Sequence, residues 1–193
     1  MHQSSPTAFA PVWILNADDS DPMSTVDWRI ELERLHAMSF AWALYCCRRQ
    51  REEAQDVLQE VYLRVLDGRA RFAGDSTVKT WLFGVIRRTA LEKGRRRWLR
   101  AALLERWLPS EPGTDPRNDV GQSLDASHSG ESLRRSLALL SRRQQEVLHL
   151  VFYQDLTIEE ASAALGISLG TARTHFERGK ARLRKILSAG GTP

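Results

Sequence analysis

The chain has 193 residues, 42% of them hydrophobic, and a formal net charge of +4. That length holds one domain or two small ones with packed cores, and it contains no apolar run near the roughly 20 residues a spanning helix needs. The short apolar patch from Ala8 to Leu15 has no basic segment before it, so it does not read as a signal peptide, and a cytoplasmic location is the expectation. The two cysteines are the neighbours Cys46 and Cys47, which give no metal-site spacing and read as buried thiols in a reducing compartment. Basic residues gather in two separate segments, 87–100 and 173–185, as two contacts with one polyanion would require.

Residues 1–24 carry Pro, Ser and Asp without periodicity and read as a flexible tail, in which Met23 is a second possible start. Helical patterning begins near Val26. Trp28, Ile30, Leu32, Leu35, Phe40, Trp42 and Leu44 form a broad apolar set for a first helix or helix pair. A second helix spans Glu52 to Leu66, with Val57, Leu58, Val61, Tyr62 and Val65 on one face and Asp56, Gln59, Glu60 and Arg64 on the other. Asp67-Gly68 stops it. Gly74-Asp75-Ser76 breaks the chain, and Ser76 is placed to cap a third helix with the apolar stripe Trp81, Leu82, Val85, Ile86 and Ala90. Lys79, Arg87, Arg88 and Lys93 are assigned to its outward side, which runs into Arg95-Arg96-Arg97. The spacing of Trp81 favours a core role over a stacking platform.

Residues 109–130 are rich in Pro, Gly, Ser and Asp and read as a linker. Beyond it, Leu133, Leu137, Leu140, Val147, Leu148, Val151 and Phe152 open a second helical unit. Thr157 and Glu160 make a capping box ahead of Ala161 and Leu165. Gly166 suits a tight turn, and Ser168 can cap the helix that follows. In that helix Ala172 and Phe176 face inward, leaving Thr171, Arg173, Thr174, His175, Glu177 and Arg178 exposed. Two helices joined by a tight turn, the second basic, are the pattern of a helix-turn-helix that sets one helix in the major groove.

The order of segments resembles that of a bacterial extracytoplasmic-function sigma factor, a small two-domain specificity subunit of RNA polymerase. AQDVLQEVYLRVL is similar to the family's core-polymerase-binding helix, and RFAGDSTVKTWLFGVIRRTALEKGRRR to its segment for the −10 promoter element. LSRRQQEVLHLVFYQDLTIEEASAALGISLGTARTHFERGKARL resembles its −35-reading domain. The resemblance implies an all-α fold of two small helical domains joined by a flexible linker: tail 1–24, region 2 over 25–100, linker 101–130, and region 4 over 131–188. It assigns Asp56, Gln59 and Glu60 to the polymerase. It assigns Arg71, Phe72, Gly74, Asp75, Ser76, Lys79, Arg87, Arg88, Arg95 and Arg96 to −10 DNA, and Ser168, Thr171, Arg173, Thr174, His175, Glu177 and Arg178 to −35 DNA. Core RNA polymerase, promoter DNA and an anti-sigma factor, often membrane-anchored, are the implied partners. No catalysis, cofactor, metal or small-molecule substrate is implied. The sequence departs from the family pattern at Leu140-Ser141, where Leu-Pro is common, and at His175 and Glu177, where basic and apolar residues are frequent.

Two rival readings have different signatures. A transcription regulator with the same helix-turn-helix should carry a receiver or ligand pocket upstream, yet the upstream half lacks alternating strands and helices. An enzyme should show a clustered acid, base or nucleophile, yet His36, His149 and His175 are scattered and His149 reads as a surface or satisfied histidine.

Overall fold

The computed structural model describes residues 26–107 and 136–189 and carries six helices of eight residues or more. These are α1 (Trp28–Cys46), α2 (Arg51–Leu66), α3 (Val78–Trp107), α4 (Arg142–Phe152), α5 (Ile158–Leu165) and α6 (Leu169–Ala189). No strand occurs among the described residues. The expected tail and the segment read as a linker lie outside them, except that α3 continues through residues 101–107, past the boundary expected at 100.

The first three helices pack on one another. α1 begins at Asp27, whose Oδ1 accepts from the backbone N–H groups of Arg29 and Ile30 at 3.1 and 3.3 Å. It buries Leu32, Leu35, Ser39, Trp42 and Ala43, a set at helical spacing. α2 buries Ala54, Val57, Leu58, Val61 and Val65 on one face. It ends at Asp67, and Gly68 follows with φ 66°, the left-handed conformation a glycine reaches without a Cβ clash. The cap of α3 is Thr77, not Ser76: Thr77 Oγ1 accepts from the Thr80 N–H at 3.2 Å. Ser76 instead donates to its neighbour's carbonyl.

α3 differs from an ordinary amphipathic helix. Every residue from Leu82 to Arg87 is buried, because one side meets α1 and α2 while the other meets α5. A helix covered on both sides needs apolar residues all round, and Phe83 completes the stripe read from sequence. Trp42, fully buried, donates its indole N–H to the Phe83 carbonyl at 3.0 Å and ties α1 to the middle of α3.

In the second unit α4, α5 and α6 pack pairwise. Ser141 and Gln144 form a capping box at the start of α4. Thr157 and Glu160 form another at α5, as the sequence predicts. Gly166 closes α5 with φ 63°, and Ser168 Oγ accepts from the Thr171 N–H at 3.2 Å to start α6. Phe152, one of the apolar positions that open this unit, is exposed.

The units do not stand apart. One apolar cluster runs from Leu32 and Trp42 through Phe83 and Ile86 to Val147, Ala161 and Leu165. The helices approach closely at Gly84, where an added Cβ would lie 3.3 Å from the Ala164 carbonyl oxygen.

Gly166 has open space beside its Cα, so a side chain there meets only conformational strain. Gly166→Ala should lower the stability of the full chain by about 1–2 kcal/mol in urea denaturation, the cost of a left-handed alanine.

Candidate polymerase and nucleic-acid interface

The residues assigned from sequence separate into three surfaces. On α2, Asp56 and Gln59 are exposed. Glu60 is half-buried and bridged to Arg64 and, at 3.2 Å, to Lys93 of α3. Burial alone would raise its carboxyl, but the bonds from Lys93 and Arg64 win and hold it below the usual range. Lys93 also donates to the Asp56 carbonyl at 3.0 Å, so α3 braces the α2 face. Glu60 is thus already paired within the chain, whereas the Asp56 side chain stands free to meet a cationic partner.

The second surface is the loop 67–77 with the start of α3. Arg71, Gly74 and Asp75 are exposed, and Gly74 has φ 79°. Phe72 is not on that surface. It is buried, in a T-shaped contact with Trp28 at 6.0 Å and tilted against Trp81 at 5.5 Å. Trp28 and Trp81 also meet at 5.4 Å, so Trp81 has the core role its spacing predicts. The three rings fix the base of the loop and present its polar residues outward.

The cations expected along the outward side of α3 divide. Arg88, Arg95 and Arg96 are exposed, with Arg96 paired to Glu92 at 2.6 Å. Arg87 is not outward: it is 7% exposed, and its guanidinium lies 3.2 Å from the Glu146 carboxylate of α4. Lys79 donates to the Gln154 carbonyl in the turn after α4. The second unit covers this part of α3, an arrangement that periodicity within α3 could not reveal.

The third surface is α6. Arg173, Glu177 and Arg178 are exposed and His175 is half-buried. The two threonines are less free. Thr171 shares a 2.8 Å hydrogen bond with Ser168 at the cap, and Thr174 donates to the Gly170 carbonyl at 2.9 Å. Ala172 and Phe176 point into the core as predicted. Phe176 stacks on Phe152, and Lys180 lies 5.0 Å over the Phe176 ring.

Comparison with known proteins shows the family. Residues 32–100 match sigma-70 region 2, and residues 130–183 match sigma-70 region 4. The RNA polymerase sigma factor YlaC of Bacillus subtilis is 30% identical over 141 residues, covering 71% of this chain and 79% of that protein. The chain belongs to the RNA polymerase sigma factors, in their extracytoplasmic-function class. SigX of B. subtilis, an extracytoplasmic-function sigma factor, is 30% identical over 146 residues, 74% of each chain. Among solved structures, the sigma factor RpoE of Bartonella quintana in complex with the anti-sigma factor NepR shares the fold. Its TM-score is 0.61 at 24% identity, over 84% of this chain and 97% of that one.

In this sigma factor, residues that sequence reasoning left unassigned build the seam between regions 2 and 4. Glu146, 1% exposed, accepts from Arg87, from Arg142 at 3.2 Å and from Arg143 at 3.0 Å. The signal for it was a lone carboxylate beside Val147 and four residues before Leu150, in the buried stripe of α4; buried glutamates are rare unless paired. His149 is half-buried and not satisfied. Its ring stacks between Trp42 and Tyr45 of α1 at 5.4 and 4.2 Å and Tyr153 at 5.2 Å, and Nε2 is buried without a partner. Burial, with Arg49 adding to it, pushes the His149 pKa down to about 4. Burial likewise raises Tyr45 and both thiols, so Cys46 and Cys47 are poor nucleophiles near neutral pH.

An unfolded histidine holds its proton up to about pH 6.5, whereas folded His149 takes one up only near 4. Its contribution to stability is therefore complete above pH 6.5 and is lost as pH falls from there through 4. His149→Phe keeps a ring in the stack and removes the titration. The melting temperature of the native chain should fall more than that of His149→Phe between pH 7 and pH 4, as read by circular dichroism.

Proposed function

We propose that this sigma factor binds core RNA polymerase through the Asp56 and Gln59 face of α2, holds unpaired −10 DNA with region 2, and reads the −35 element with α6. The observation that carries the reading is the exposure of Arg173, Glu177 and Arg178 on a capped helix, whose inner face is fixed by Ala172 and Phe176. Arginine offers a bidentate fork to guanine or phosphate, and Glu177 can accept from cytosine N4. Thr171 and Thr174 have hydroxyls engaged in the helix itself and contribute shape and methyl contacts. Lys180 and Arg182 lie further along and suit phosphate.

In region 2, Arg71, Asp75 and Ser76 project from the loop over the Trp28–Phe72–Trp81 cluster. A base leaving its stack costs a few kcal/mol, which polar contacts at a rigid loop can offset. Phe72 supports this loop from beneath. Arg88, Arg95 and Arg96 supply a cationic track for the backbone.

The chain supplies binding energy and no catalysis of its own; polymerase performs phosphoryl transfer. No helix among the described residues is long and apolar enough to cross a membrane, and a cytoplasmic site of action suits a subunit of polymerase. An anti-sigma factor is the expected regulator, as NepR is for the Bartonella protein.

Run-off transcription with core polymerase and genomic DNA tests the whole reading: defined start sites should appear that depend on this subunit. Two variants test its parts. Asp56→Arg should abolish capture of core polymerase while duplex binding by region 4 persists, and retained capture would remove the α2 face from the scheme. Arg173→Ala should weaken duplex binding by about 1–3 kcal/mol and relax preference at one base pair, as read by selection from a randomised duplex pool.

A further inference from the structure

We propose that the apolar pocket beside Tyr45 and α4 is the docking site of the chain's own N-terminal segment, with Phe9 to Leu15 as its occupant. The inference stands apart from the assignments to polymerase and DNA.

The pocket lies where the end of α1 meets the second unit. Its wall is made by Tyr45 of α1, Leu148 and Phe152 of α4, Tyr153 just after that helix, Leu183 of α6, and Leu137. It encloses about 280 Å³, room for a few side chains. Phe152 and Tyr153 are 59% and 64% exposed. Large apolar side chains left open beside an apolar hollow mark a surface that another segment covers. The amide in the wall, Gln145, already donates to the Leu140 carbonyl at 2.9 Å. His149 also stands in the wall, with its Nε2 buried and unpartnered.

The sequence outside the described residues narrows the occupant to one segment. Residues 190–193 hold no large apolar side chain, and in 108–135 Leu108, Val120, Leu124 and Leu133 stand singly among polar neighbours. Residues 1–25 differ: Val12, Trp13, Ile14 and Leu15 are consecutive, with Phe9 close before them. Trp13 also brings an indole N–H, a donor that takes an acceptor when buried.

Reach and charge agree with this choice. Trp28 and Tyr45 stand about 26 Å apart along α1, at about 1.5 Å of rise per residue. Residues 16–26 extend over as much as about 36 Å, so Leu15 reaches the pocket with length to spare. Asp18, Asp19 and Asp21 follow Leu15 closely. With the apolar run seated, they come beside the exposed Arg49, which lies near enough to His149 to lower its pKa. An exposed pair of this kind adds little energy, but it favours one direction of docking, apolar end inward and acidic end toward α1.

Arg173, Glu177 and Arg178 are not part of the pocket wall, so the docked segment leaves the exposed face of α6 free. A partner that lays an apolar segment on the same wall must first displace the tail. A chain begun at Met23 lacks the segment and presents the wall bare.

Photo-crosslinking of the full chain tests the occupant directly. Tyr153 is replaced by benzoylphenylalanine, irradiated, and the products are mapped by tandem mass spectrometry. Crosslinks within one chain to residues 9–15 are expected. Crosslinks confined to the pocket wall, to 108–135, or between two chains overturn the proposal.

A second measurement uses a fluorescein-labelled peptide of residues 6–22, followed by anisotropy. It should bind the chain begun at Met23 at least tenfold more tightly than the chain begun at Met1, where a tethered copy competes at an effective concentration in the millimolar range. Trp13→Asp in the peptide, or Tyr153→Glu in the shorter chain, should weaken binding at least tenfold. The peptide variant leaves the protein unaltered, so its loss of binding owes nothing to misfolding. Equal binding to the two chains, no binding to either, or full binding by the Trp13→Asp peptide overturns the proposal.

Discussion

The ion pair between Arg87 and Glu146 sets the constraint under which the rest of the molecule is arranged. Both side chains are almost wholly withdrawn from water, at 7% and 1% exposure. A buried pair adds little stability over apolar residues of the same shape, because desolvating the two ions offsets their attraction, while loss of one partner is costly. Such a pair fixes which surfaces meet and makes every other arrangement of the same surfaces worse. Here it registers α3 against α4, and that register places Gly84 over Ala164 and His149 against Trp42.

α3 can accept a second packing partner because the first unit has already made it rigid. Trp42 is hydrogen-bonded to the Phe83 carbonyl, and Lys93 ties the helix to the Asp56 carbonyl and to Glu60. Two-thirds of the way along α3, Arg97 bonds Gln50 at 3.1 Å and pairs with Glu53. A 30-residue helix anchored along α1 and α2 presents a fixed face. That face fits the short α5 without distortion, and α5 is short because its capping box and left-handed Gly166 define both ends.

Much of this was legible in the sequence for local reasons. The α5 capping box, the Gly166 turn, the Ser168 cap and the inward pair Ala172 and Phe176 all follow from chemistry within one or two turns of helix. The buried face of α2 follows from period alone. Other features depended on partners distant in sequence. Arg87 reads as an outward cation because its partner is 59 residues away, and Phe72 is assigned to −10 DNA with its loop because its support comes from Trp28 and Trp81. Thr77 displaced Ser76 as the cap by a single position, which lies within the usual ambiguity of helix boundaries. The reading of two helical units missed their shared core, since periodicity locates apolar faces but not what covers them.

A subunit that must grip both duplex and unpaired DNA has a problem that follows from its own charges. Cations placed to hold a melted strand would also hold any nucleic acid in the cell, since phosphate contacts carry no sequence information. Arg87, buried against the protein's own Glu146 carboxylate, adds nothing to such nonspecific attraction in this structure. A base-reading helix face can stay open at little cost, because a short set of base contacts discriminates between sites, whereas a continuous cationic groove does not. The division seen here, with α6 exposed and the middle of α3 buried, fits that asymmetry.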